Sequence, residues 1–217
     1  MERGERVIES LADIAYKVIA DRIITLDIRP NEAINESQLS KEMQMGRTPI
    51  REALKQLESE RLVVTQTRKG SFAAPIKLTD LLEVAQIRQA LEPLAAELAA
   101  ENVRPEHESA LRGHLQLLAA LSGRPAEQNE LMRLNLEIHR QIYSIAGNLH
   151  LEDTLLRYAH LSTRIWSQIL ERRSPVREHT LELGPIIQAV LDKDSAQSRA
   201  LMDAHVRNFN EYIANLR

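Results

Sequence analysis

Apolar residues near the start of the chain recur at helical spacing and then give way to a short β pattern. In the first helix Leu11, Ile14, Val18 and Ile19 lie on one face. Thr48 suits the N-cap of a later helix and Pro49 its first position. The pattern predicts helices over 11–26, 37–43 and 47–60, then strands over 62–66 and 71–74 around a turn at 67–70.

The remainder of the chain shows only helical periodicity, interrupted by short breaks that contain Pro, Gly or Asn. Helices of this length joined by short breaks favour an antiparallel bundle. We therefore predict a mainly α protein with an N-terminal domain over 1–76 and an all-helical C-terminal domain over 77–217. The predicted helices of the second domain span about 79–102, 105–121, 126–146, 149–172, 183–192 and 194–215.

Composition narrows the class of protein. The 217 residues contain no cysteine, which excludes disulfides, thiolate metal sites and cysteine nucleophiles. No apolar run approaches the roughly 18 residues that span a bilayer, and no signal-peptide core follows the N-terminus. We expect a cytoplasmic protein without a membrane partner. The net charge is −3, but residues 44–70 carry six basic and three acidic side chains, which leaves specific nucleic-acid binding open.

The order of predicted elements is that of a winged helix-turn-helix with a small β-hairpin wing. A recognition helix places its N-terminal residues on base edges in the major groove, and arginine pairs bidentately with guanine. Arg47, Thr48 and Arg51 stand at the start of the third helix. The wing candidates are Arg68, Lys69 and Gly70 at the hairpin tip.

The segment 36–63, with Arg-Thr-Pro-Ile-Arg-Glu-Ala-Leu at 47–54, resembles the signature of the GntR superfamily of bacterial transcription regulators. The segment 87–100 is similar to the first helix of the FadR-type effector domain, called FCD. The resemblance implies a homodimeric regulator, which we expect to be a repressor, bound to a pseudo-palindromic double-stranded DNA operator and controlled by a small metabolite such as an organic acid. Asn31 replaces a usual glycine in a turn that asparagine tolerates, and Gly46 replaces a usual serine.

Many FCD domains hold a divalent metal through an Asp, a His four residues later and two further His. Here the pair falls on Asn135 and His139, and the last histidine on His205. Counting back from His205 puts the middle histidine near Leu183. We therefore expect a metal site that is degraded at Asn135 and Leu183, with His139 and His205 left to hold an ion such as Zn or Ni. Whether His179 replaces the missing ligand stays open, and Glu182 is expected to point away.

Two alternatives to a metal stay open at these positions. Asn135, His139 and His205 can instead hydrogen-bond an effector directly, or the two histidines can be structural residues of a helical core.

Two arginines are further candidates for contact with a carboxylate effector. The resemblance places Arg88 in the pocket, and Arg164 lies on a later helix. The alternative for Arg88 is a salt bridge with Glu92 or Glu137. Two other classes of function also remain at this point: a metal-dependent hydrolase and a helical protein-interaction module.

Overall fold

The computed structural model describes residues 10–122, 126–170 and 176–214. Contacts within the chain divide it into two units, Met1–Ile76 and Lys77–Arg217. Among the described residues, no helix has the length and apolar character needed to cross a membrane.

The first unit consists of helices followed by a two-stranded antiparallel hairpin, in which Val63 pairs with Ala73 and Gln66 with Gly70. Its core is apolar and includes Ile19, Ile50 and Leu57, all without solvent exposure. The predicted order of elements is confirmed. They are α1 (Leu11–Ile24), α2 (Glu36–Glu42), α3 (Arg47–Ser59), β1 (Val63–Gln66) and β2 (Gly70–Ala73).

Two turns set the positions of α2 and α3. Asn31 adopts a φ of 65°, so asparagine takes the left-handed conformation that glycine usually supplies. The side chain of Asn35 caps α2 by accepting hydrogen bonds from the backbone N–H groups of Ser37 and Gln38. The expected N-cap of α3 is wrong: the helix begins at Arg47 after an extended Gly46, so Thr48 lies inside its first turn.

The second unit is a helical bundle, which together with the first unit confirms the mainly α fold class. Its core is rich in small and branched apolar residues, including Ala95, Leu111, Ile138 and Leu183. The helices are α4 (Leu78–Asn102), α5 (Pro105–Ser122), α6 (Gln128–Ile145), α7 (Leu149–Leu170), α8 (Val176–Leu181), α9 (Leu183–Leu191) and α10 (Ser195–Ala214).

The sequence pattern did not predict α8, because six residues are too few to show a helical period. The last residues of two predicted helices, 171–172 and 215, fall outside the described part of the chain.

A charged network lies inside the second unit and joins three helices. Arg88 on α4 donates through Nε to Glu92 Oε1 at 2.5 Å and through Nη1 to Ser162 Oγ at 2.6 Å. Tyr143 on α6 donates to the same Glu92 oxygen at 2.7 Å. Burial alone would raise the pKa of Glu92, but the Arg88 guanidinium beside it holds that pKa well below its usual range. The carboxylate is therefore ionised although it has no solvent exposure.

We expect Asn35→Ala to reduce the free energy of unfolding by about 1 kcal/mol, because two N–H groups in the first turn of α2 lose their acceptor. Urea unfolding followed by circular dichroism measures the loss. Ser37→Ala, an exposed change in the same turn, is the control and should stay within about 0.5 kcal/mol of the parent. Equal losses in the two variants would contradict the capping role.

We expect Glu92→Gln to lower the free energy of unfolding by about 3–5 kcal/mol, because the buried Arg88 guanidinium would lose its anionic partner. The pKa of Glu92 is lower in the folded than in the unfolded chain, where it is about 4.5. The ionised carboxylate therefore contributes its full share of the free energy of unfolding above pH 4.5, and this share is lost as the pH falls below that value. Unfolding at several pH values should show the gap between parent and variant narrowing in acid. A gap that widens below pH 4.5 would contradict this assignment.

Candidate functional site

The start of α3 divides cleanly into an exposed and a buried face. Arg47, Thr48 and Arg51 are exposed. The opposite face is buried through Ile50, Ala53, Leu54 and Leu57. Burial of that face anchors the helix, while the basic side chains remain accessible to a partner.

Two local features leave this helix start available to a polyanion. Gly46 makes no side-chain hydrogen bond to the first turn, so side-chain capping does not occupy those N–H groups. Arg51 donates through Nε to Glu36 Oε2 at 2.7 Å, but the Arg51 side chain is 61% exposed. Exposed ion pairs of this kind contribute at most about 1 kcal/mol. The pair can orient Arg51 and then give way to a stronger anionic partner.

The hairpin tip carries the second basic group. Arg68, Lys69 and Gly70 are all exposed between β1 and β2. Arg68 has a φ of 65° and Gly70 a φ of 98°, both in the left-handed region. The turn is closed by the Lys69 N–H, which donates to the Gln66 carbonyl at 3.0 Å. The tight turn therefore projects two cations from a short, defined hairpin.

A cluster of buried imidazoles is the main chemical feature of the second unit. His139 on α6, His179 on α8 and His205 on α10 are each less than a tenth exposed. The His179 and His205 rings are stacked with centroids 3.8 Å apart, and the His139 and His205 centroids are 5.3 Å apart. We call these three residues the histidine cluster. Glu182 joins it, with Oε2 at 2.9 Å from His205 Nδ1 and 3.4 Å from His179 Nδ1.

The electrostatics favour neutral imidazoles at His179 and His205 and an ionised carboxylate at Glu182. Burial lowers the pKa of His205 to about 3, and the neighbouring His179 adds to the effect. Burial also lowers the pKa of His179. Hydrogen bonds from His179, His205 and Asn208 outweigh desolvation at Glu182 and hold the pKa of that carboxyl well below its usual range. Neutral imidazole and ionised carboxylate are the protonation states that bind a divalent metal.

Several buried nitrogens in this region have no hydrogen-bond partner among the described residues: Asn135 Nδ2, His139 Nε2 and His205 Nε2. His139 Nδ1 lies 2.9 Å from the Asn135 backbone carbonyl, which only accepts, so Nδ1 carries a hydrogen. Unpartnered buried polar atoms are costly, so these nitrogens mark a candidate position for a ligand or an ion.

A cavity of about 170 Å³ opens beside the histidine cluster. It is smaller than the 300–1,000 Å³ typical of drug-sized ligands, so it suits a small molecule. Trp166 stacks edge-on against both His179 and Phe209 at its wall. The lining comprises Trp166, Glu178, His179, Glu182, Asn208, Phe209 and Tyr212.

The structure corrects two expectations about this site. Glu182 does not point away, since its carboxylate contacts two histidines. The residue beside His205 is His179, whereas Leu183 is fully buried in the apolar core. The backbone stays helical at Glu182 (φ −58°, ψ −20°), so His179 and Glu182, three residues apart, lie on the same helix face, which meets His205. The donors present, two nitrogens and a carboxylate, fit a divalent ion of the zinc or nickel type.

The two candidate arginines lie in buried positions. Arg88 forms the ion pair with Glu92 described above, which is one of the two salt bridges considered from the sequence. Its Cζ lies 5.5 Å from the centroid of Phe209, a residue of the cavity wall. Arg164 is 1% exposed, and burial lowers its pKa to about 10. Glu92 is also 3.6 Å from His139 Nε2, so the Arg88 network reaches the histidine cluster.

Comparison with solved structures shows the same fold in bacterial regulators. Escherichia coli McbR/YncC aligns with a TM-score of 0.80 over 95% of this chain and 98% of its own, at 20% sequence identity. A GntR transcriptional regulator from Rhodococcus sp. RHA1 aligns with a TM-score of 0.66 over 95% and 98%, at 17% identity.

Sequence relatives cover nearly the full length. The transcriptional regulator YdhC of Bacillus subtilis strain 168 is 28% identical over 204 residues, 93% of this chain and 90% of that protein. The Nta operon transcriptional regulator of Aminobacter aminovorans is 27% identical, with 89% and 90% covered. The transcriptional repressor GlaR of Escherichia coli K12 is 28% identical, with 88% and 90% covered.

Two domain families match the two units. The family of bacterial regulatory proteins called gntR matches residues 11–72, and the FCD domain matches residues 83–208. These domains and relatives are transcription regulators and not enzymes, so the hydrolase alternative is not retained. The exposed start of α3, the basic hairpin and the helical domain with its cavity thus belong to a GntR-family transcriptional regulator with an FCD effector domain.

Proposed function

We propose that this regulator is a repressor of the FadR type, which binds its operator through α3 and the hairpin and responds to a small organic acid bound beside the histidine cluster. The observation that carries the DNA-binding part is the exposed row of Arg47, Thr48 and Arg51 at the start of a helix whose opposite face is buried.

The proposed DNA contacts divide into two kinds. Arg47 and Arg51 read base edges in the major groove, where a bidentate arginine–guanine pair discriminates by about 1–3 kcal/mol. Thr48 and the free N–H groups of the first turn contact phosphate. Arg68, Lys69 and Gly70 contact the backbone from the wing and add affinity without reading sequence.

The repressor and homodimer parts of the proposal have separate support. GlaR, a relative across most of this chain, is named a transcriptional repressor. Helix-turn-helix regulators commonly bind as dimers to two half-sites one helical turn apart. A second copy of this chain would supply the other half of a pseudo-palindromic site.

The proposed effector site uses Asn135, His139 and His205 as hydrogen-bonding groups next to the cavity. Arg88 on α4 and Arg164 on α7, both buried, are the cations proposed to pair with the carboxylate of the effector. Arg88 would exchange part of its contact with Glu92 for that carboxylate. Linkage requires that effector and operator change each other's affinity by the same factor, typically 5–150-fold.

The decisive test of the DNA interface is charge reversal. We expect Arg47→Glu with Arg51→Glu to weaken binding by at least about 100-fold, because two base contacts worth more than about 1.4 kcal/mol each are lost. The probe is a duplex selected from a random-sequence pool by the parent protein, and fluorescence anisotropy measures the dissociation constant.

The matched control carries the same change in charge on the other unit. Arg104 is 72% and Arg112 60% exposed, and their double change to glutamate should leave binding within about threefold. Binding by the Arg47/Arg51 variant within about threefold of the parent, with an unchanged circular dichroism spectrum, would refute the assignment.

A substitution in the wing should affect DNA binding differently from one in α3, because the wing is proposed to contact phosphate and not bases. We expect Lys69→Ala to weaken binding equally for all duplex sequences and to reduce the slope of log affinity against log salt by about 1, because one phosphate contact is lost. Titrations at several salt concentrations, on the selected duplex and on a scrambled one, measure both quantities. A change in sequence preference with an unaltered slope would contradict a phosphate contact.

A further inference from the structure

We propose that Glu36 is a positioning residue for the reading of DNA. Its carboxylate holds Arg51 in the orientation that pairs with a guanine, and it thereby sets the base preference of this arginine. The inference rests on the proposed function, because it assumes that Arg51 reads a base edge. Glu36 contacts no base itself and acts on specificity only through Arg51.

The position of Glu36 is fixed by the start of α2. Glu36 is the first residue of this helix, and the Asn35 side chain caps its first turn. The buried Leu39 anchors α2, which packs against α3. The Glu36 side chain is 26% exposed, against 61% for Arg51. The carboxylate is therefore the more enclosed member of the pair and offers a defined anchor to the more exposed arginine.

The hydrogen bond to Glu36 occupies only one side of the Arg51 guanidinium. Nε donates to Glu36 Oε2 at 2.7 Å. Within the described part of the chain, Nη1 and Nη2 of Arg51 donate no hydrogen bond. A guanidinium is planar, and its two terminal nitrogens form a fork that matches O6 and N7 of guanine. The contact with Glu36 thus leaves available the end of Arg51 that reads a base.

Holding Arg51 through Nε favours a base over a phosphate as its partner. An arginine side chain has several rotatable bonds, so immobilising it on DNA costs conformational entropy. A side chain that is already held in the bound orientation loses less of that entropy. A phosphate that takes Nε must break the pair and approach a second anion, whereas a guanine that takes Nη1 and Nη2 leaves the pair intact.

Arg47 provides an internal comparison on the same helix. It is exposed at the start of α3 and has no ion pair with another described residue. Removal of Glu36 should therefore weaken base reading by Arg51 and leave base reading by Arg47 unchanged. A general effect on affinity, such as the loss of one negative charge or of stability, would not distinguish the two arginines.

The test measures base preference at one position of the DNA at a time. The probes are the duplex selected by the full-length parent protein and duplexes in which each base pair is replaced in turn, and fluorescence anisotropy measures Kd. Arg47→Ala and Arg51→Ala locate the guanine that each arginine reads, as the position where the preference falls by about 5–150-fold.

We expect Glu36→Ala to reduce the preference at the Arg51 position by at least about threefold, because Arg51 loses its anchor and part of its pairing with guanine. The preference at the Arg47 position should not change. In protein that already carries Arg51→Ala, the further change Glu36→Ala should have no additional effect on preference, because the two residues act as one unit.

Glu42→Ala is the matched control. It removes the same charge from the same helix and also breaks an ion pair, in which Arg22 Nη1 lies 2.6 Å from Glu42 Oε2. That pair does not include Arg51, so the base preference should equal that of the parent at every position. Circular dichroism and thermal unfolding check that each variant folds.

Four results would overturn the proposal. They are an unaltered preference at the Arg51 position in Glu36→Ala, an equal loss in Glu42→Ala, an additional loss when Glu36→Ala is combined with Arg51→Ala, or a loss at a different base pair. The last would mean that the carboxylate accepts directly from a base, such as cytosine N4. A loss in Arg51→Ala without one in Glu36→Ala leaves the proposed function intact, whereas no loss in Arg51→Ala would overturn both.

Discussion

The ion pair between Arg88 and Glu92 is the constraint on which the arrangement of the effector domain depends. An ionised carboxylate with no solvent exposure is tolerated only when its oxygens are occupied by charged and polar donors. Arg88, Ser162 and Tyr143 complete this network from α4, α7 and α6, so the three helices must meet at one depth. His139 lies against the same carboxylate, and the network thereby fixes one edge of the histidine cluster.

In the histidine cluster, the surroundings of the buried side chains set their protonation states. Removed from water, His179 and His205 lose their tendency to take a proton, while Glu182, at the cavity mouth, stays ionised because it accepts their hydrogen bonds. The result is a set of neutral nitrogens around one negative oxygen. That combination is uncommon in a purely structural core, where buried polar atoms are ordinarily satisfied by one another.

The DNA-binding domain follows a simpler rule. A single helix, α3, is amphipathic in such a way that its apolar side fixes it to α1 and β1 while its first turn remains in solvent. The absence of a side-chain cap at Gly46 costs the isolated helix some stability, and it leaves the positive end of the helix free. Gly46 therefore gives α3 less stability than a capping side chain would, and in return it leaves the first turn of α3 available to a partner.

The sequence alone determined the class and order of elements in the first domain, and all but the six-residue α8 in the second, because amphipathic period, turn residues and β-branching are local properties. It also identified the exposed basic side chains at 47, 51, 68 and 69, which need only a position on a helix or a turn. It could not determine the partner of Glu182. That carboxylate reaches His179 as its neighbour three residues along the helix, and it reaches His205 because α10 packs alongside. The contact with His205 joins residues 23 positions apart, and only the packing of helices in three dimensions decides it.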